Sequence, residues 1–427
     1  MTKPSDSARI LHAISSYFVE SIDQDNFNGI TAHRLLDLDL SESAIRPMLA
    51  SLVKSGKINC TFSRYDLNVH IKRLPSLSSE KQIEFISEDD LHQIACYPTE
   101  PEIRKNFDLE KLNDRPYTKM LAAGRSQLEF VSFDFAALER YFNDPRFLLR
   151  FEDYGGRLSI KDEYYNLSAE GYRDDVSIQT FGLGFDDRDF PVAIVFLRYL
   201  ATLNSAHQLY WKSYEAVRPA KMCLQYYQSS IQGVFFENAS LIHAIRRCIE
   251  GINENCESIF GKKLFRESIP DIRPPELSIF VRPTKKNFLR FVVSLDHLLS
   301  ENFNESIFPD SIARTEIKVV RDRQVEQKVG SIRLYETWLF DIYQFHSPSE
   351  ARSDLIEPFL EVRKLRQKPA HQTTEDQYDE AFYEQREQLL AKVFRALLGL
   401  LEILEGHPKG HMIDLRPRIR EGRLDPW

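Results

Sequence analysis

LIEPFLEVRKLRQKPAH, residues 355–371, then a polar break and YDEAFYEQREQLLAKVFRALLGLLEIL, residues 378–404, decide how the C-terminal third folds. Stepping about 100° per residue around a helix brings Leu355, Phe359 and Val362 within about 60° of each other. Ile356, Leu360 and Leu365 flank that stripe, and Arg366 falls on it one turn beyond Val362. Lys364 points to solvent, and Arg363 lies near the stripe's edge. A guanidinium aimed along an apolar face needs anionic partners or water, because burying it unpaired is costly. Pro369 ends the helix and disfavours helical geometry at Lys368. His371 then stands in a polar elbow, and Thr374 with Gln377 forms a capping box for the next helix.

Working outward, residues 286–303, 331–345, 350–367 and 375–405 read as four helices, enough for one bundle over 285–406. The last helix presents Phe382, Leu389, Val393, Leu397, Leu400, Leu401 and Leu404, more apolar surface than one partner helix covers. That surplus predicts a homodimer through the bundle. Residues 407–427, with Pro408, Pro417 and Pro426, read as an extended tail.

Arg366-Gln-Lys-Pro-Ala-His371 at a helix boundary resembles the HEPN superfamily of helical-bundle ribonucleases, whose motif is an arginine, four to six residues, then a histidine. The resemblance implies RNA as substrate, Arg366 on the scissile phosphate, His371 as general acid or base, and the RNA 2′-OH as nucleophile. It implies neither metal nor cofactor, two subunits with facing sites, and a setting in bacterial defence or toxin action. The chemistry is coherent: histidine carries protons near neutral pH, an arginine fork matches phosphate, and only RNA supplies the 2′-OH. Lys364 and Lys368 flank the motif as candidate RNA contacts. Two other arginine–histidine pairs share the spacing. Arg64/His70 falls in an expected β-hairpin, and Arg290/His297 lies inside one apolar helix, where a structural role is expected. A second reading, from another class, is a winged-helix regulator or adaptor that dimerises through its bundle and uses Arg366 and His371 structurally.

At the N-terminus, residues 8–22 have helical spacing, Thr31 caps a short helix, and a Ser-capped helix carrying Ile45, Met48, Leu49, Leu52 and Val53 closes at Gly56. Residues 58–62 and 67–72 read as two strands of a wing. This order over 1–75 resembles a winged helix-turn-helix, which can contact DNA, RNA or protein. Arg46 and Lys54 would lie on its recognition helix, with Arg64, Lys72 and Arg73 on the wing. Nine Lys/Arg against eight Asp/Glu in these 75 residues make it only weakly basic.

Residues 74–84 read as a polar linker. The segment 76–215 reads as an α+β domain, with strands at 127–134, 146–153, 156–165 and 176–186 and helices at 136–142, 191–203 and 206–216. Gly182-Leu-Gly184 lacks the third glycine of a dinucleotide fingerprint. The acids Glu152, Asp153, Asp162 and Glu163 read as solvated strand ends, so no metal is expected. His207-Gln-Leu-Tyr-Trp211 reads as core packing. A helical connector fills 216–284. The fold class expected is therefore α+β and mostly helical.

Net charge of −8 argues against a bulk nucleic-acid coat, though not against a local basic patch. Cys60, Cys96, Cys223, Cys248 and Cys256 form no CxxC pair, a reduced pattern. MTKPSDSARILHAIS lacks a secretory h-region, and no apolar run approaches the roughly 18 residues that span a membrane. A cytoplasmic protein is expected.

Overall fold

The computed structural model describes the chain except residues 1–4, 67, 73–75, 168–175, 235–239, 268–274, 278–279, 321–322, 368–374 and 425–427. The fold is mixed α+β and mostly helical. It divides into two compact units, residues 1–149 with 157–226, and residues 150–156 with 227–427. No described helix is long and apolar enough to cross a membrane.

The first unit opens with α1 (Asp6–Asp23), whose Ser5 cap accepts from the Ala8 N–H. β1 (Ile30–Thr31), a 3₁₀ turn over Ala32–Leu38, α2 (Glu42–Lys54) and β2 (Ile58–Phe62) follow. Ile10, Ile14, Ile45, Leu49, Leu52 and Ile58 fill one core. The expected hairpin does not form. Asp66 accepts from the Phe62 N–H and the chain turns away, so β2 pairs instead with β3 (Ile94–Pro98), which lies between β1 and β2. The expected linker is largely helix: Ser78 caps α3 (Ser79–Glu88), which packs on α2. Gln82 of α3 accepts from the Cys60 N–H at 2.9 Å. A boundary at residue 75 would therefore cut through a continuous core.

After α4 (Glu100–Asn106) and α5 (Pro116–Ala122) comes a second sheet. Its strands are β4 (Phe130–Asp134), β5 (Phe147–Glu152), β6 (Gly155–Ile160), β7 (Ser177–Asp186), β8 (Pro191–Phe196) and β9 (Ala220–Met222). The order is β4-β8-β7-β6-β5, with β9 on β7. α6 (Glu139–Asn143), α7 (Asp162–Leu167), α8 (Leu197–Leu200) and α9 (Ser205–Lys212) connect them, and α10 (Leu224–Ile231) follows. The expected helix at 191–203 is strand for its first half. Val192–Phe196 are all buried, so the run has no polar face to reveal its period, and strands β4 and β7 claim it on either edge. Gly182 is a packing glycine: a Cβ there would sit 2.0 Å from the Tyr226 ring. His207 is sealed in the core, its Nδ1 2.7 Å from the Tyr141 hydroxyl, which accepts from Trp211 Nε1 at 3.0 Å.

The second unit is a helical assembly. It contains α11 (Leu241–Phe260), α12 (Lys285–Leu298), a β10–β11 hairpin (Thr315–Val320, Arg323–Lys328), α13 (Ser331–Ile342), α14 (Pro348–Leu355), α15 (Glu357–Gln367), α16 (Ala381–Glu405) and α17 (Pro417–Arg420). Pro358, which has no N–H to give, follows the break at Ile356 that separates α14 from α15. α11 is no connector: Cys248, Ile249, Ile252 and Cys256 are fully buried, and the helix packs along α16. The apolar surplus of α16 is absorbed by this chain, where Leu389, Val393, Leu397, Leu400, Leu401 and Leu404 are buried and Phe382 stacks on Phe288. The tail is not an extended arm either. Ile413, Leu415 and Ile419 are buried, and Arg420 holds Glu405 at 2.7 and 2.8 Å.

Candidate functional site

The stripe that carries Arg366 faces α12. Thr284 caps α12 by accepting from the Asn287 N–H, and Phe288, Phe291, Val292 and Leu295 fix its buried side. Near its C-terminal end that side carries Asp296, which is 0% exposed. Arg366 Nη1 donates to Asp296 Oδ2 at 2.6 Å and also to Glu301 Oε1. Arg363, one turn earlier on α15, gives its Nε to Asp296 at 3.1 Å and its Nη2 to Ser300 Oγ at 2.9 Å. The Ser300 hydroxyl donates to Asp296 in turn. The buried carboxylate thus has two cations and a hydroxyl, the satisfaction a buried charge requires.

Glu301 has a second partner. Its Oε2 lies 3.1 Å from Nε2 of His297, whose side chain is 56% exposed. One carboxylate therefore joins an arginine on α15 to a histidine on α12. The bonds to Asp296, then those to Glu301, raise the Arg366 pKa, which keeps it charged throughout the accessible range. Among the described residues, every bond of Arg366 runs through Nη1, which leaves its other donors for a ligand.

Beside this cluster is a cleft of about 360 Å³, lined by Arg266, Ser300, Glu301, Lys328 and Arg363 among others. Lys328 is paired with Glu305 at 3.1 Å, whereas the Arg266 side chain has no ion-pair partner among the described residues. A second cleft, about 550 Å³, is walled by Glu250, Glu254, Glu257 and Glu267 together with Lys263 and Arg266. Four carboxylates against two cations leave it net acidic.

His371 and Lys368 lie outside the described residues, as does Arg73. Lys364 is exposed, as its position on the wheel predicts. The N-terminal candidates are mostly engaged elsewhere. Arg46 donates to Glu42 and to the Ile86 carbonyl of the neighbouring helix. Arg64 pairs with Glu88 and Asp89 and stacks 4.4 Å from the Phe85 ring centroid. Lys72 is buried, its Nζ donating to the Gly124 carbonyl. Of these four, Lys54 and Arg64 are exposed, Arg46 is half-buried and Lys72 is buried. Lys72 is turned into the protein, whereas Arg46 and Arg64 pair with acids at or near the surface. No group of three metal-ligating side chains occurs among the described residues.

Burial lowers the Lys72 pKa to about 8. An unfolded lysine titrates near 10.4, so the unfolded chain holds more protons between those values and stability rises with pH across that window. Relative to Lys72→Met, the wild type is expected to gain up to about 3 kcal/mol in urea unfolding from pH 8 to 10.4. A parallel pH dependence in both proteins would contradict a desolvated ammonium.

The sequence reading did not include Asp296, Glu301 or the exposure of His297. Comparison with protein families, with curated proteins and with solved structures gave no match.

Proposed function

We propose that this protein is a metal-independent RNA endonuclease of HEPN type, with Arg366 and His371 at its centre. One observation carries the reading: Arg366 is fixed from behind by buried Asp296, keeps free donors, and shares Glu301 with an exposed histidine beside a cleft that Arg363 lines. A guanidinium held this way costs little reorganisation when charge develops on a phosphate in the transition state. His371 would pass the proton. The homodimer stays part of the proposal on the resemblance alone, since α16 spends its apolar face within the chain. The N-terminal module, read as winged-helix-like, would recruit a protein partner, because Arg46 and Arg64 already pair with acids.

The test is incubation of mixed-sequence RNA with the purified chain in excess chelator. Cleavage leaving 2′,3′-cyclic phosphate and 5′-hydroxyl ends is expected. Absence of cleavage, or cleavage that survives both Arg366→Ala and His371→Ala, would overturn the reading. One observation favours the adaptor instead: Arg363 and Arg366 are balanced in charge by Asp296 and Glu301, which is how a purely structural pin would be built.

A further inference from the structure

RNA transesterification moves two protons, one off the 2′-OH and one onto the departing 5′-oxygen, and Arg366 can carry neither. We propose that His297 is the second proton carrier, acting as the general base; this rests on the ribonuclease reading above. Its Nε2 is held by Glu301 Oε2 at 3.1 Å, while Oε1 of the same carboxylate takes Arg366. With Nε2–H committed to the carboxylate, Nδ1 presents a lone pair, and the anion behind the ring supports the imidazolium that forms. Among the described residues the charged group in contact with the ring is Glu301; Arg290 lies two turns earlier on the same side of α12, and Arg366 and Arg363 of α15 reach the cluster through Glu301 and Asp296.

A second observation points the same way. Lys286, Arg290 and His297 lie within about 40° on the wheel of α12. All three are exposed, and neither Lys286 nor Arg290 has an ion-pair partner among the described residues. That line gives the phosphate backbone a track leading to the imidazole. In the step, Nδ1 of His297 takes the 2′-OH proton as the 2′-O–P bond forms. The P–O5′ bond breaks, and the leaving oxygen takes a proton from a general acid or from water. The products are a 2′,3′-cyclic phosphate and a 5′-hydroxyl, and solvent returns His297 to its starting state.

The experiment compares wild type, His297→Ala, Glu301→Gln and His371→Ala on RNA and on the same RNA with a 5′-bridging sulfur at one cleavage site, whose thiolate leaves without a general acid. His297→Ala is expected to lose about 10²–10⁴-fold on both substrates and to lose the acidic limb of the pH–rate profile, with an unchanged melting temperature. Glu301→Gln should slow both substrates, because the carboxylate that holds both Nε2 of His297 and Nη1 of Arg366 is gone. His371→Ala should be impaired on ordinary RNA and restored on the sulfur substrate. If His297→Ala cleaves both substrates at the wild-type rate while His371→Ala is impaired, the ribonuclease reading stands and this inference falls. If His297→Ala is restored by sulfur, His297 is not the base. If wild type cleaves neither substrate, both fall together.

Discussion

Asp296→Ala is expected to lower the free energy of unfolding by about 3–5 kcal/mol, the range for removing one partner from a buried ionic cluster. The carboxylate is fully enclosed and accepts from Arg363, Arg366 and Ser300. Its loss leaves Arg366 with Glu301 and Arg363 with Ser300, both arginines against an apolar helix face, since Phe359 and Val362 lie on the same side of α15. Asp296→Asn keeps acceptors for both arginines and should lose less. Replacing the trio together by Leu at 296 and Met at 363 and 366 should recover most of the loss, because well-packed apolar groups often match a buried ion cluster in stability. Urea unfolding of the three variants is the measurement. A shift under about 1 kcal/mol for Asp296→Ala would mean that water reaches the arginines.

The second large effect is on rate. His371→Ala is expected to reduce RNA cleavage about 10²–10⁴-fold, the usual worth of a general acid or base, with little change in melting temperature. Arg366→Ala should cost about 10²–10³-fold, comparable to losing one donor to a transition-state oxyanion. Unlike the histidine, Arg366 also does structural work. Its removal leaves Asp296 with Arg363 and Ser300, a stability loss of about 1–3 kcal/mol. His371→Ala is therefore the cleaner of the two. If it melts several degrees lower and cleaves as wild type does, the elbow is structural.

The apolar stripe of α15 was legible in the sequence, and so was the consequence that Arg366 would need an anion. The anion was not, because it lies 70 residues earlier, at the edge of another helix's stripe. Its signal was present: Asp296 sits between Leu295 and Leu299 in a run otherwise apolar on that side. His297 lies in a helix whose apolar run points to a structural role, yet a wheel sets it about 180° from Phe288, on the solvent side where it is found. Residues 191–196 failed for a different reason. A run buried on both faces has no period, and only its pairing with β4 and β7 fixes it as strand. The six-residue motif was readable as spacing, but its surroundings, α12 and Glu301, are brought together only by tertiary packing.

The position of β3 has a consequence for how the protein is made. The middle strand of the N-terminal sheet is the last of the three to be synthesised: Cys96 pairs with Cys60 on one side and Ile30 on the other. Until that strand leaves the ribosome, β1 and β2 have edges facing a gap, and Ile94 and Cys96 are missing from the core. At about 5–20 residues per second the wait from Phe62 to Pro98 lasts seconds, during which unpaired strand edges are open to other chains. α3, emerging within that interval and packing on α2, is the element placed to shield them.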